Sequence, residues 1–157
     1  GILSRRDASA SMTEGSNPRP GVYCLETTVR MADTDAAGVI YFARQLELAH
    51  HAFEAFLEDA NLGVGHMLAE KDYRIPIVHA ESDYRAPLRV GDKLTICLTA
   101  QRIGDTSFTL NFRLRDHAFR EVGAVKTVHV AVSGDTWKKR PIPAELRAAL
   151  DRLVPGP

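Results

Sequence analysis

Across residues 41–60 there is no Gly or Pro, and Leu46, Ala49, His50, Phe53, Phe56, Leu57 and Ala60 recur at three- and four-residue spacing, with Glu47, His51, Glu54 and Glu58 between them. That spacing gathers the apolar side chains on one stripe, so it predicts an amphipathic helix of about five turns. Elsewhere the period is two. Leu94, Ile96, Leu98 and Ala100 alternate with Lys93, Thr95, Cys97 and Thr99, and Phe108, Leu110, Phe112 and Leu114 alternate with Thr109, Asn111, Arg113 and Arg115. Each run predicts a strand with one wet and one buried face. Ile103-Gly104-Asp105-Thr106 joins the two as a hairpin turn.

Three further β-rich runs complete the sheet: residues 22–31, residues 75–84 with Pro76 near the edge, and residues 122–132. Residues 143–150 open on Pro143 and predict a short terminal helix. The order strand, long helix, four strands means α+β, with one antiparallel sheet that needs a helix on one face. The polar face of the strands is left for solvent or a second subunit.

Composition places these elements in one domain. The chain has 157 residues, of which 45% are hydrophobic, enough to bury a core. Residues 1–21 are rich in Ser, Gly, Pro and charge without apolar periodicity, and read as a disordered leader. Residue 1 is Gly, so the leader reads as an added segment, with Met12 as an alternative start. The domain is expected over residues 22–153. A net charge of zero offers no basic field for nucleic acid. No apolar run approaches the roughly 20 residues needed to cross a bilayer. Cys24 and Cys97 are far apart and outside any metal-binding spacing, so they read as buried small hydrophobes of a reducing compartment. A cytoplasmic location follows by elimination.

The candidate chemistry lies just before the long helix, where Asp33-Thr34-Asp35-Ala36-Ala37-Gly38 sets two carboxylates and a permissive glycine in a tight loop. The first N–H groups of a helix have no intrahelical acceptor and carry the positive end of its dipole, so they can polarise a carbonyl oxygen. A carboxylate a few residues upstream can attack that carbonyl or take a proton from an attacking water. Together these make a reaction centre for acyl transfer with a backbone oxyanion hole. The same spacing also suits an Asx-turn, a helix cap or a metal-binding pair.

The block Val29-Arg30-Met31-Ala32-Asp33-Thr34-Asp35-Ala36-Ala37-Gly38-Val39-Ile40-Tyr41-Phe42 carries a resemblance, together with Ile75-Pro76-Ile77-Val78-His79-Ala80 and Ala86-Pro87-Leu88-Arg89-Val90-Gly91-Asp92-Lys93-Leu94. Over about residues 22–140 the chain resembles the 4-hydroxybenzoyl-CoA thioesterase family. Its Tyr41-Phe42 ending and Ile77-Val78-His79-Ala80 segment are most similar to the 1,4-dihydroxy-2-naphthoyl-CoA thioesterases of quinone biosynthesis. The resemblance implies a hotdog fold, a curved antiparallel sheet wrapped around one long central helix. It also implies homodimers that pair into homotetramers, active sites at the dimer interface, and an acyl-CoA substrate. No cofactor is expected beyond the coenzyme A of that substrate. Residue by residue, it makes Asp35 the catalytic carboxylate and the Phe42 backbone N–H the oxyanion donor, helped by Tyr41. Relatives carry Tyr or His where this chain has Phe42, so only the backbone role carries over. Gly104-Asp105-Thr106 stands where the 4-hydroxybenzoyl enzyme has a basic cluster for the nucleotide phosphates.

Asp33 reads as a structural carboxylate that caps the loop. His50 falls on the apolar face of the helix, either as a core histidine or as a group that lines the acyl pocket and bonds an aromatic hydroxyl. Gly38 and His79 are the other candidate substrate-binding residues, His79 facing either the helix side of the sheet or a subunit interface. His129 reads as structural and His51 as surface. Lys138-Lys139-Arg140 either meets coenzyme A phosphates or is a solvated patch. No metal site is expected, since no HExxH or comparable spacing occurs, and the P-loop, dinucleotide and serine-hydrolase motifs are missing from the sequence. The alternatives are a short-chain or branched acyl-CoA thioesterase of the Tol-Pal-associated type, a non-catalytic acyl-CoA binding protein and, further off, a hotdog dehydratase.

Overall fold

The computed structural model describes residues 21–40, 42–67 and 73–156. Tyr41 and almost all of the expected leader therefore lie outside the described residues. Gly21, which the sequence assigns to the leader, packs against the chain end: a Cβ there would meet Val154 O at 2.5 Å.

The predicted helix is α1 (Phe42–Asp59), which follows β1 (Tyr23–Thr28). After it come β2 (Tyr73–Arg74), β3 (Ile77–Tyr84), β4 (Lys93–Ile103), β5 (Ser107–Arg115), β6 (Glu121–Val130), β7 (Val132–Ser133) and a terminal helix α2 (Ala144–Asp151). Five strands form one sheet in the order β1-β4-β5-β6-β3, and every neighbouring pair is antiparallel. This is the α+β hotdog architecture. The alternation read from β4 and β5 decides which face is covered, because Leu94, Ile96, Leu98, Phe108, Leu110, Phe112 and Leu114 are all buried. Against them α1 sets Ala49, Ala52 and Ala55, all fully buried, together with Phe53 and Phe56. The small side chains let the helix lie close to the sheet while the aromatic rings fill the space beside it.

The differences from the sequence reading have local causes. The first strand stops at Thr28, because Met31–Asp33 turns into a short 3-10 helix. The last long strand breaks at Ala131, whose N–H donates to Thr106 O and whose carbonyl accepts from Arg140 N–H. Beyond it the chain leaves the main sheet and β7 pairs with β2. Pro143 stands just outside α2 as its N-cap, with ψ 142°.

The reading of the cysteines is overturned. In the β1–β4 register Cys24 lies directly opposite Cys97, and the two are joined, with S–S 1.99 Å and Cα–Cα 4.0 Å. Seventy-three positions of sequence separate them, yet strand pairing makes them cross-strand neighbours. The cysteines consequently carry no argument for a reducing compartment. Among the described residues no helix is long and apolar enough to cross a membrane.

Candidate active site

The loop between β1 and α1 is closed on itself before anything else touches it. Asp35 N–H donates to Val39 O at 3.0 Å, Gly38 N–H to Asp35 O at 2.9 Å, and Thr34 bridges Ile40 across the loop. Gly38 adopts φ +79°, and a Cβ there would meet nothing within 4 Å, so backbone conformation rather than lack of room calls for glycine. The outgoing arm is pinned by Ile40 N–H donating to Leu88 O at 2.8 Å and by a bridge from Val39 to Arg89.

The two loop carboxylates occupy opposite environments. Asp33 is only 4% exposed, and its oxygens accept from Arg30 N–H at 2.8 Å and from Arg44 Nε at 2.6 Å. The Asp33 carboxylate is also the main reason that the Arg44 guanidinium is held above its ordinary range. Asp35 is exposed, and its Oδ1 accepts Ala37 N–H at 2.8 Å, an Asx-type contact that orients the carboxylate. Its Oδ2 takes part in no hydrogen bond found among the described residues. The helix beyond the loop begins at Phe42, seven positions after Asp35, so its first N–H groups have no intrahelical acceptors.

The other candidates are spread along α1 and β3. His50 lies eight residues past Phe42, or roughly 12 Å along the helix axis. It lines a cavity of about 250 Å³ whose walls include Phe53, Leu57, Met67, Ile75 and His129. The His50 side chain is 44% exposed and its Nε2 stands 3.2 Å from Glu54 Oε1, one turn further on. His79 is exposed on β3, 3.4 Å from Glu81, and is not among the residues of the cavity wall. The structure therefore holds Asp35 and Gly38 in one closed loop that leads into α1, sets His50 farther along the helix, and leaves His79 on the sheet edge.

Sequence reasoning missed the depth of His129 and the rim of this cavity. His129 is 1% exposed, stacks on Phe108 with ring centroids 4.9 Å apart, and places its Nδ1 3.0 Å from Ile75 O and its Nε2 3.0 Å from Thr127 Oγ1. The carbonyl only accepts, so Nδ1 carries the proton and Nε2 accepts from the threonine. Burial, opposed by the Ile75 bond and aided by nearby His50, pushes its pKa down to about 4. Trp137 lines the cavity with 59% of its surface exposed. The one sequence signal for these residues was the alternation of β6, which puts His129 on the same face as Val125 and Thr127. Among the described residues no group of three or more His, Cys, Asp or Glu is placed to hold a metal ion.

Comparison with known proteins places the chain in a family. Residues 29–150 match the thioesterase-like superfamily. A 1,4-dihydroxy-2-naphthoyl-CoA hydrolase of Rippkaea orientalis is 38% identical over 121 residues, covering 76% of this chain and 88% of the relative. The enzyme of the same name from Synechococcus elongatus is 36% identical, covering 80% and 92%. The crystal structure of a 1,4-dihydroxy-2-naphthoyl-CoA thioesterase from Synechocystis superposes with a TM-score of 0.77 at 30% identity, covering 83% of this chain and 96% of that one. A matched span that runs from just after β1 through the Asp35 loop, α1 and the other four strands of the main sheet into α2 makes this chain a member of the thioesterase-like superfamily.

Proposed function

We propose that this protein hydrolyses aryl-CoA thioesters, with 1,4-dihydroxy-2-naphthoyl-CoA as the preferred substrate and Asp35 as the catalytic carboxylate. The observation that carries the reading is the loop geometry: one acid, Asp35, is exposed and oriented by Ala37 N–H, while its neighbour Asp33 is buried and fully engaged. The thioester carbonyl oxygen accepts from the Phe42 N–H at the positive end of α1, where charge on the developing oxyanion is stabilised. Asp35 then acts in one of two ways. As a nucleophile it attacks the carbonyl carbon, expels the coenzyme A thiolate and forms a mixed anhydride that water opens. As a general base it takes a proton from the water that attacks directly. Both routes consume one water and release the free acid and coenzyme A.

The acyl specificity rests on His50. Side chains of a helix lean toward its N-terminus, so an acyl group held at Phe42 and lying along α1 meets the imidazole with its far end. Glu54 beside Nε2 supports a tautomer that leaves Nδ1 as an acceptor for an aromatic hydroxyl. Gly38 keeps the loop tight at the substrate in this reading. His79 stands on β3, the last strand of the sheet, where Ile77 and Val78 are also exposed. An exposed apolar edge strand is a template for pairing, which supports a homodimer through β3, dimers pairing into tetramers, and His79 meeting substrate only across that interface. In this reading the enzyme works without a cofactor.

The test is a hydrolysis panel in which a thiol-reactive dye reports coenzyme A released from naphthoyl, benzoyl, phenylacetyl and short aliphatic thioesters. The proposal expects the hydroxylated naphthoyl ester to give the highest kcat/KM. Preference for short or branched aliphatic esters supports the Tol-Pal-associated reading instead, and no release from any ester supports a binding protein.

A further inference from the structure

We propose that Arg44 is a positioning residue for the reaction: through Asp33 it fixes the separation between the Asp35 carboxylate and the oxyanion donor at Phe42. The inference rests on Asp35 being the catalytic carboxylate. The loop has two arms, and they are held differently. The outgoing arm is fastened to the segment after β3 by the Ile40–Leu88 hydrogen bond and the Val39–Arg89 bridge. The incoming arm is the 3-10 turn Met31–Asp33, and its side-chain link to the first turn of α1 among the described residues is the Asp33–Arg44 pair at 2.6 Å.

Arg44 sits two positions after Phe42, and Asp33 two before Asp35. One contact thus connects the backbone that carries the acid to the backbone that carries the oxyanion donor. The pair is built to hold position. Asp33 uses one oxygen on Arg30 N–H, which locks the 3-10 turn, and the other on Arg44 Nε. The guanidinium in turn bonds Glu47, one turn further along α1, so it cannot swing away from the helix without losing a second carboxylate. The Asp33 side chain is 6% exposed and that of Arg44 22%, so water screens the pair weakly. Neither group reaches outward as Asp35 does, and neither touches the substrate. Their effect on the reaction is geometric, and a misplacement of about 1 Å in a reacting group can cost on the order of a hundredfold in rate.

The experiment is a kinetic cycle on the full chain with the best thioester of the panel, comparing Arg44→Ala, Asp33→Asn, the double variant, Arg44→Lys and Asp35→Asn. Arg44→Ala is expected to lower kcat by about 30- to 100-fold with KM changed less than about threefold. The double variant should lose no more than the worse single one, since both break the same link. Arg44→Lys, which keeps charge but offers no Nε, should recover part of the rate, and millimolar guanidinium should raise kcat of Arg44→Ala while leaving Asp35→Asn unchanged. A purely structural role predicts falls in stability with kcat per folded molecule intact and no rescue by guanidinium. If Arg44→Ala does not fold, Arg44→Lys and Asp33→Asn carry the same test. The proposal is overturned if these variants turn over within about threefold of the native chain while Asp35→Asn is inactive. Native turnover by Asp35→Asn would instead remove the reading on which it rests.

Discussion

Acidification should weaken this fold through one buried imidazole. His129 has a pKa of about 4 in the folded chain against an ordinary value of 6.5, so between those pH values the unfolded chain binds a proton that the folded chain does not. Stability linked to this group is complete above pH 6.5 and is lost as pH falls toward 4. A shift of about 2.5 units at 1.36 kcal/mol each amounts to roughly 3 kcal/mol, delivered at up to about 1.4 kcal/mol per pH unit. The cause is structural: protonation would put a charge between Phe53 and Phe108 and break the bond that Nε2 accepts from Thr127. Urea unfolding at pH 7.5, 6.5, 5.5 and 4.5 should be measured for the native chain and for His129→Phe. The variant starts less stable, because Ile75 O and Thr127 lose their partner, but its stability should fall less between pH 6.5 and 4.5, by about 2 kcal/mol. Equal pH slopes for the two proteins would show that this imidazole does not carry the acid sensitivity.

Three further expectations concern the scaffold. Reducing the Cys24–Cys97 bridge, which closes 73 positions of chain, should cost about 4 kcal/mol on the chain-entropy estimate and lower Tm by roughly 10 °C; identical melting with and without reductant would contradict the pairing. Tyr73 is fully buried, its hydroxyl has no hydrogen-bond partner among the described residues, and burial pushes its pKa up to about 12. Tyr73→Phe should therefore be neutral or stabilising by about 1 kcal/mol in urea unfolding, and a loss of about 2 kcal/mol or more would mean the hydroxyl is satisfied. Gly38→Ala should cost about 1 kcal/mol and lower kcat several-fold, because φ +79° is strained for alanine; an unchanged melting curve would contradict it.

Local periodicity carried most of what the sequence revealed. The 3.6-residue stripe of α1 and the two-residue alternation of β4 and β5 report burial directly, so those elements and their inward faces were legible. The Asp35 loop was legible as a carboxylate before a helix, and the resemblance of its motif separated it from Asp33. Features that depend on register were not. Cys24 and Cys97 become neighbours only when β1 pairs with β4, and no spacing along the chain announces that pairing. The same holds for Asp33 and Arg44, joined across the turn into α1, and for the cavity that gathers His50 and His129 from a helix and a distant strand. The break at Ala131 escaped because Val130, Ala131 and Val132 read as one continuous strand, while hydrogen bonds to Thr106 and Arg140 redirect the backbone.

The proposed activity stands or falls on the exposed carboxylate of Asp35, acting on a thioester beside the start of α1. It is probed by steady-state release of coenzyme A from 1,4-dihydroxy-2-naphthoyl-CoA by the native chain and by Asp35→Asn, which preserves the shape of the side chain and its acceptor for Ala37 N–H. The expected result is a fall in kcat of about a thousandfold or more, with unfolding unchanged. If the variant kept kcat within about tenfold of the native chain, Asp35 would not be the catalytic carboxylate.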